Sequence, residues 1–284
     1  MREIQQKPEF IVKTAMGRRQ MSPHRLTVFV EGVSDMIFLT NIVDGTKKLY
    51  FQDLYGRQNV LDVVSQCERE HSPGQRQFAV ALVDLDDDSL RDQKDLDHQW
   101  RVYVDAYDTD GPSRDLETMI IRSKVLDRIL RNFDIPEHEF RSIRSKLAKA
   151  CSVLGAAYVT KNLLPLEEQR LIGSFDGIEF PKFFDDKKLL VYESECFEEC
   201  FKSVKSDQRR SELRMMFNNC LLGIGDNPWS FTRGHDLIEM LSRYLRRRTS
   251  KKVAFDFEVL VRNCHYPEFL TSNLYNKLLS IASD

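Results

Sequence analysis

Two short apolar runs that end in carboxylates restrict the fold of this chain more than any other feature of its sequence. The first run, Leu26–Val30, leads into Glu31-Gly32, and the second, Phe78–Val83, leads into Asp84-Leu85-Asp86. Because each run is short and rich in β-forming residues, the sequence predicts two buried strands of a parallel sheet. In open α/β sheets the carboxyl ends of such strands border the ligand crevice, so these acids are expected to meet there.

The acids at these strand ends and at two following helix starts predict a site for divalent cations. Carboxylates crowded at one edge repel one another and raise their own pKa values unless a cation lies among them. All-oxygen ligation favours a hard ion, Mg²⁺ or Mn²⁺, over zinc. The expected ligands form two sets, Glu31, Asp84 and Asp86 for one cation and Asp35, Asp115 and Glu117 for a second.

Two cations held close together predict cleavage of phosphodiesters by in-line displacement. Such a pair activates a water molecule and stabilises the leaving oxygen. Glu31 is expected to act as a metal ligand or as a general base, with Asp84 and Asp86 as the principal ligands. A single acid of this kind is more often a solvated loop residue, but acids after two consecutive core-like strands favour a site.

The order of predicted elements indicates an α/β protein with an open, mostly parallel sheet flanked by helices. Residues 1–25 form a short helical or extended lead-in. Strands are predicted near 26–30, 48–51, 78–83 and 100–104, with a helix capped by Ser34 and another near 58–70 between them. Strands that alternate with helices in this way are typical of such sheets.

A different pattern follows Tyr107. A turn is predicted at 108–112, irregular or β structure over 173–184, and helices at 114–131, from Pro136 onward, and at 195–205, 207–221, 235–248 and 268–282. The sequence therefore predicts two parts. A catalytic α/β domain covers residues 1–115, and a mainly helical region over 116–284 packs against it.

Charge and hydropathy limit the possible partners and locations. The formal net charge is −2, so any contact with nucleic acid must come from local basic patches. No run approaches the roughly 20 apolar residues of a membrane helix, and the start of the chain has no apolar stretch of the signal-peptide kind, so a cytoplasmic location is expected. The closely spaced Cys196 and Cys200 are interpreted as small buried hydrophobic residues rather than as zinc ligands.

One basic cluster and one histidine are candidate contacts to nucleic acid. Six basic residues fall within ten positions: Arg243, Arg246, Arg247, Arg248, Lys251 and Lys252. They form either a solvated helix end or a clamp on the phosphate backbone. His235 follows Gly234 at a predicted helix start, where an imidazole contacts a phosphate or serves as a cap or core residue.

These motifs together resemble a known group of proteins. Val30-Glu31-Gly32 followed by Asp84-Leu85-Asp86 resembles the TOPRIM domain of topoisomerases, bacterial primases and OLD-family nucleases. The segment 108–117 is similar to the additional acidic motif of OLD-type nucleases. Gly234-His235-Asp236 and the segment Phe269–Tyr275 resemble C-terminal motifs of a TOPRIM-like family, first described as a domain of unknown function, that includes the nuclease subunits of the PARIS anti-phage system.

The resemblance implies a TOPRIM-like fold and an Mg²⁺- or Mn²⁺-dependent endonuclease that acts as the toxin of an anti-phage system. In such nucleases the substrate is host transfer RNA, and Glu31 matches the TOPRIM glutamate that the activity requires. A separate ATPase partner is expected to hold the nuclease inactive and release it. The chain has no GxxxxGK[ST] phosphate loop and so is not itself that ATPase. A homodimer is expected in the active state, because one small acidic site offers little surface for a long substrate.

Two alternatives stay open at this point. The chain is either a catalytic nuclease or a non-catalytic regulatory subunit whose acids bind a metal or the basic surface of a partner. If it is a nuclease, its target is RNA or, as in other OLD-like enzymes, DNA.

Overall fold

The computed structural model describes residues 7–43, 48–72, 75–84, 99–103, 115–175, 177–225, 227–249 and 267–283. Of the predicted site residues, Asp86 and Lys251 lie outside these ranges, as do Lys252 and the turn predicted at 108–112. The chain divides into two compact units, Met1–Asp110 with Cys264–Asp284, and Gly111–Asn263. Each unit is described by itself below.

The described residues contain six strands and eleven α-helices. The strands are β1 Leu26–Val30, β2 Leu49–Asp53, β3 Ala79–Val83, β4 Arg101–Tyr103, β5 Phe184–Asp185 and β6 Leu190–Val191. The helices are α1 Pro8–Met21, α2 Val33–Ile42, α3 Arg57–Glu70, α4 Leu116–Arg122, α5 Val125–Asn132, α6 Phe140–Asn162, α7 Leu166–Ile172, α8 Glu193–Cys200, α9 Asp207–Gly223, α10 Gly234–Arg248 and α11 Asn273–Ser283.

The first unit is built on a four-stranded parallel sheet with the strand order β2-β1-β3-β4. Every residue of the central strands β1 and β3 is buried, as their continuous apolar sequences require. In the register, Thr27 pairs with Tyr50 on one side and with Ala79 on the other. The predicted α/β class and the parallel sheet flanked by helices are therefore confirmed.

A hydrophobic core lies between one face of this sheet and the helices α1 and α3. Phe29 and Ala81 come from the sheet, Ala15 comes from α1 and Val63 comes from α3, and all four are buried in one cluster. Ile11, Val12 and Ala15 recur at helical spacing, so α1 presents one apolar stripe to the sheet. The lead-in that the sequence left as helical or extended is thus a helix.

The second unit is organised around the long helix α6. This helix has 23 residues, and most of its C-terminal half is buried because small side chains such as Ala156 and Ala157 let its neighbours approach closely. Helix α10 runs antiparallel to α6. Its Met240 Sδ lies 3.3 Å from Cys151 Sγ, and near its C-terminus Arg248 pairs with Glu139. The predicted helical character of the C-terminal part is confirmed.

The helix predicted over 114–131 is wrong as a single element, because the chain forms α4 and α5 with a break at Ser123. The Ser123 hydroxyl donates to the Ile120 carbonyl at 2.6 Å and accepts from the Val125 N–H at 3.1 Å, so it ends one helix and starts the next. Arg144 on α6 donates to the Ser123 carbonyl at 2.8 Å and to Asp127 Oδ1 at 2.5 Å. These contacts come from another helix, so the local apolar pattern of residues 114–131 could not predict the break.

Two further helices begin at residues other than the predicted ones. Helix α2 begins at Val33 with Gly32 as its N-cap rather than Ser34, because the Gly32 N–H donates to Asp35 Oδ2 at 3.1 Å. The helix predicted over 268–282 is a 3-10 turn followed by α11. There the Ser272 hydroxyl accepts from the Tyr275 N–H at 3.1 Å and caps the new helix.

Replacing Phe29 by alanine tests whether the α1–α3 face of the sheet is the core of the first unit. Phe29 is 1% exposed, so Phe29→Ala is expected to lower the free energy of unfolding by about 3–5 kcal/mol. Met21→Ala is the control, because Met21 is 80% exposed and its loss is expected to change stability by less than about 0.5 kcal/mol. Urea unfolding measures both, and equal effects of the two substitutions would contradict the assigned core.

Candidate functional site

The strand order places a switch point between β1 and β3. From β1 the chain continues to β2 on one side of the sheet, and from β3 it continues toward β4 on the other. The carboxyl ends of two such strands form the crevice in which open α/β sheets bind ligands. Glu31 directly follows β1 and Asp84 directly follows β3, so the structure brings these two predicted residues to the same crevice.

Glu31 and Asp84 are joined by a hydrogen bond. The Asp84 N–H donates to Glu31 Oε1 at 3.2 Å, and the Glu31 side chain is 16% exposed. The carboxylate is therefore held in a defined position while part of its surface remains open to solvent. This combination suits a group that must be oriented and still reach a ligand.

Arg57 is a member of this site that the sequence analysis did not identify. Its Nη1 donates to the Asp84 carbonyl at 2.8 Å and lies 3.8 Å from Glu31 Oε1. Arg57 is the first residue of α3, directly after the loop that follows β2, and therefore lies at the same edge of the sheet. The sequence signal that could have identified Arg57 is its position as a basic residue shortly after β2, the strand that neighbours β1.

The loop after β2 is fixed to the backbone of the site. The Leu54 N–H donates to the Val30 carbonyl at 3.1 Å, and the Gly56 N–H donates to the Glu31 carbonyl at 2.7 Å. Gly56 has a φ of 120°, which favours glycine. The backbone at Glu31 is thus held from the β2 side as well as by its own strand.

Asp35 lies in the first turn of α2, four residues after Glu31. One of its carboxylate oxygens accepts the Gly32 N–H and so stabilises the tight turn between β1 and α2. Its assignment as a ligand of a second cation stays a prediction.

Asp115 and Glu117 belong to the second unit, where both are buried against the start of α10. Asp115 Oδ1 accepts the Thr118 N–H at 2.8 Å and caps α4, while Oδ2 accepts the Gly234 N–H at 2.6 Å. The Asp115 carboxylate therefore links the N-termini of α4 and α10, where the helix dipoles favour a negative charge. The structure brings these acids together with Gly234, and a single site shared with Glu31 stays a prediction.

The packing around Gly234 explains why the Gly-His-Asp motif begins with glycine. A Cβ at this position would lie 2.5 Å from Glu117 Cβ and 2.7 Å from Asp115 Oδ1. Only glycine permits this close approach between the two helix starts. His235, the next residue, is exposed to solvent.

The predicted contacts to nucleic acid do not form one cluster. His235 and Arg246 are eleven positions apart in α10, which corresponds to about 16 Å along the helix axis. Arg246 and Arg247 are exposed, whereas Arg248 pairs with Glu139 at 2.5 Å. The arginines thus lie at one end of α10 and the histidine at the other.

The carboxylates at the switch point suit an Mg²⁺ ion that takes part of its coordination from water and substrate, rather than a metal site built only from protein ligands. Within the described ranges, no group of three or more His, Cys, Asp or Glu side chains is arranged to hold a metal ion. Mg²⁺ is usually bound through one or two carboxylates, and its remaining ligands are water and substrate phosphate oxygens. Glu31 and Asp84 supply two carboxylates of this kind at one edge.

The paired cysteines of α8 have the properties of core residues. Cys196 and Cys200 are both buried, and the pKa of Cys196 is raised well above its usual value by the hydrogen bond with Cys200 and by burial. Metal ligation requires the thiolate, which these surroundings disfavour.

Searches of protein-family models, curated proteins and solved structures found no match to this chain. In the part of the chain that the structure describes, no helix has both the length and the apolar character that crossing a membrane requires.

Adding one methyl group at Gly234 tests the contact between the two helix starts. Gly234→Ala is expected to lower the free energy of unfolding by about 1–3 kcal/mol, because the new Cβ overlaps Glu117 and Asp115. Gly17→Ala is the matched control. A Cβ at Gly17 meets no atom within 4 Å in helix α1, and alanine is favoured over glycine there by about 0.5–1 kcal/mol. If denaturant unfolding showed Gly17→Ala to be less stable than Gly234→Ala, this would contradict the close contact between the two helix starts.

Asp115→Asn tests whether the carboxylate of Asp115 links two helices. An amide keeps one accepting oxygen but turns an NH₂ group toward the other backbone N–H, so a loss of about 1–3 kcal/mol in unfolding free energy is expected. Asp207→Asn, at the exposed start of α9, is the control and is expected to change stability by less than about 0.5 kcal/mol. If Asp115→Asn had the same unfolding free energy as wild type, this would contradict the role of Asp115 in linking the two helices.

Proposed function

We propose that this chain is a metal-dependent endonuclease of the TOPRIM type that cleaves nucleic acid phosphodiesters. The observation that supports this proposal most is the position of Glu31 and Asp84. These two residues follow the two central strands of a parallel sheet at its switch point, and the Asp84 backbone N–H donates to the Glu31 carboxylate. Their sequence context resembles the TOPRIM motifs, and the strand order gives them the neighbouring positions that those motifs require.

Glu31 and Asp84 would hold Mg²⁺ or Mn²⁺, with Asp86 as a further ligand. The bound ion would supply charge stabilisation at the phosphate oxygens and a more acidic water molecule. The Asp84 N–H orients the Glu31 carboxylate, and the loop after β2 fixes the Glu31 backbone. Arg57 places a guanidinium beside the same carboxylate, where it can pair with a substrate phosphate.

A basic surface in the second unit supports a polyanionic substrate. Six exposed cations on α6, on α10 and at the start of α5 form no ion pair with another described residue: Lys124, Arg141, Lys146, Lys149, Arg246 and Arg247. The acids on the same helices are already paired, as in Asp127 with Arg144 and Glu239 with Arg243. These helices therefore carry unpaired positive charge although the whole chain has a net charge of −2, and such charge suits a phosphate backbone.

The biological assignment rests on the resemblance to nucleases of the PARIS type. On that basis the substrate is host transfer RNA, and cleavage makes the chain the toxin of an anti-phage system. A separate ATPase partner keeps it inactive until infection, and a homodimer is the active form. A DNA-directed nuclease of the OLD type is the alternative for the same site.

One contact favours a second candidate function, a non-catalytic subunit that binds a metal or a partner. Arg57 lies 3.8 Å from Glu31 and places a positive charge where a cation would otherwise be bound. A site that is already neutralised in this way suits a resting state or a purely structural role. Activity measurements distinguish the two functions.

Loss of either carboxylate is expected to abolish cleavage without unfolding the protein. Wild type, Glu31→Gln and Asp84→Asn are expressed with the ATPase partner and a phage trigger, and the ends of RNA and DNA fragments are sequenced. Both variants are expected to reduce cleavage by roughly 100-fold or more. Removal of divalent ions from the purified complex is expected to have the same effect. Glu195→Gln, on the exposed face of α8, is the matched control and is expected to cleave like wild type.

The fragments also identify the substrate. Discrete cuts in transfer RNA that depend on Glu31 support the proposed RNase, and breaks confined to DNA support the OLD-type alternative. Wild-type cleavage by Glu31→Gln would contradict the nuclease site. No cleavage by wild type under a working trigger would favour the binding subunit.

A further inference from the structure

A cavity of about 770 Å³ opens in the first unit beside the edge strand β2. Its wall includes Phe10 and Arg18 from α1, Tyr50 and Asp53 from β2, and Tyr55 from the loop after β2. A volume of this size is typical of sites that bind small organic molecules or single nucleotides. Among the described residues, Glu31 and Asp84 do not line it.

Tyr55 gives this cavity an exposed aromatic ring on a strained backbone. Its φ is 58°, in the left-handed region that bulky residues rarely adopt, and its side chain is 61% exposed. Asn59 holds the conformation, because its Nδ2 donates to the Leu54 carbonyl at 2.7 Å and to the Tyr55 carbonyl at 3.2 Å. A strained residue whose side chain contributes little to the core indicates a functional constraint.

A second exposed ring lines the same cavity. Phe10, on α1, is 62% exposed although phenylalanine is commonly buried. Two solvent-accessible aromatic rings in one cavity are the groups on which proteins stack unpaired bases.

Polar groups around the rings match the remaining parts of a nucleotide. Asp53 lines the cavity, and its Oδ2 is a buried atom that has no hydrogen-bond partner among the described residues. A carboxylate can accept hydrogen bonds from the amino group of a base. Lys7 is exposed at the same cavity and is available for a phosphate. Arg18 also lies there, with its guanidinium 4.0 Å from the centre of the Tyr50 ring and its Nη1 donating to Gln52 Oε1 at 2.8 Å.

The loop that carries Tyr55 is hydrogen-bonded to the backbone of the candidate active site. Tyr55 precedes Gly56, whose N–H donates to the Glu31 carbonyl at 2.7 Å. Tyr55 is therefore held within two residues of a backbone contact to Glu31, which is near enough for one nucleic acid strand to reach both.

We propose that this cavity binds one unpaired nucleotide, with the base stacked against Tyr55 and Phe10 and its amino group bonded to Asp53. The proposal rests on the nuclease function and specifies it, since the enzyme would recognise a single-stranded or extruded nucleotide next to the cleaved bond. The same chemistry is present in a free mononucleotide acting as an effector. The test therefore has an arm for each source.

The test uses the full chain in the presence of EDTA, so that binding is measured without cleavage. The first probe is a fluorescein-labelled single-stranded RNA with one 2-aminopurine, and the second is each of the free mononucleotides AMP, GMP, CMP and UMP. Tyr55→Ala and Phe10→Ala are each expected to weaken RNA binding roughly 5- to 150-fold and to reduce the quenching of 2-aminopurine. Tyr55→Phe retains the ring and is expected to bind like wild type, as is the control Tyr192→Ala, an exposed tyrosine outside the cavity.

Each outcome decides the proposal. Ring-dependent binding of RNA alone supports recognition of a substrate nucleotide, and ring-dependent binding of mononucleotides that displace the RNA supports a nucleotide site with a free effector. Wild-type binding of both probes by Tyr55→Ala and Phe10→Ala overturns it.

The outcome is independent of whether the chain is a nuclease. Ring-dependent binding by a chain that leaves RNA and DNA intact under a working trigger retains the cavity and removes the proposed nuclease. Glu31-dependent cleavage with an unchanged KM in both ring variants retains the nuclease and removes the cavity.

Discussion

The parallel pairing of β1 with β3 is the interaction on which the rest of the first unit depends. Both strands are fully buried, so their backbone groups must be satisfied by neighbouring strands, and their length and register are strongly constrained. That register brings the first residue after each strand to one edge. The hydrogen bond from the Asp84 N–H to Glu31 is a direct extension of the pairing into the crevice. The carboxylates are therefore placed by the hydrophobic core behind them.

The two units use their acidic residues differently. In the first unit Glu31 is partly exposed, and its neighbours are a backbone amide and an arginine. In the second unit Asp115 has both carboxylate oxygens bonded to backbone N–H groups, so it stabilises the starts of two helices. Acids that look equivalent in sequence thus differ in the donors that surround them. The second unit also has exposed cations that form no ion pair with another described residue, and these are the groups that we propose to contact a polyanion.

The sequence predicts the elements that depend on local patterns and misses those that depend on distant contacts. The bounds of β1 follow from its apolar run alone, and the parallel sheet follows from the alternation of strands and helices. The break at Ser123 depends on Arg144, more than twenty residues away, and so could not be read from the helical pattern. Arg57 and Tyr55 gain their significance only once β2 is known to lie beside β1. Asp115 is predicted as a metal ligand, and its hydrogen bond with the Gly234 N–H could not be read from the sequence because the two residues are far apart along the chain.

The central claim is that Glu31 and Asp84 bind one divalent cation at the switch point of the sheet. The most direct measurement is anomalous X-ray diffraction from crystals of the full chain grown with Mn²⁺ and a single-stranded oligonucleotide. The account predicts an anomalous peak at a coordination distance of about 2.1 Å from the carboxylates of both residues, with Arg57 turned toward a phosphate. An absence of any peak at this edge, with Arg57 still beside Glu31, would contradict it.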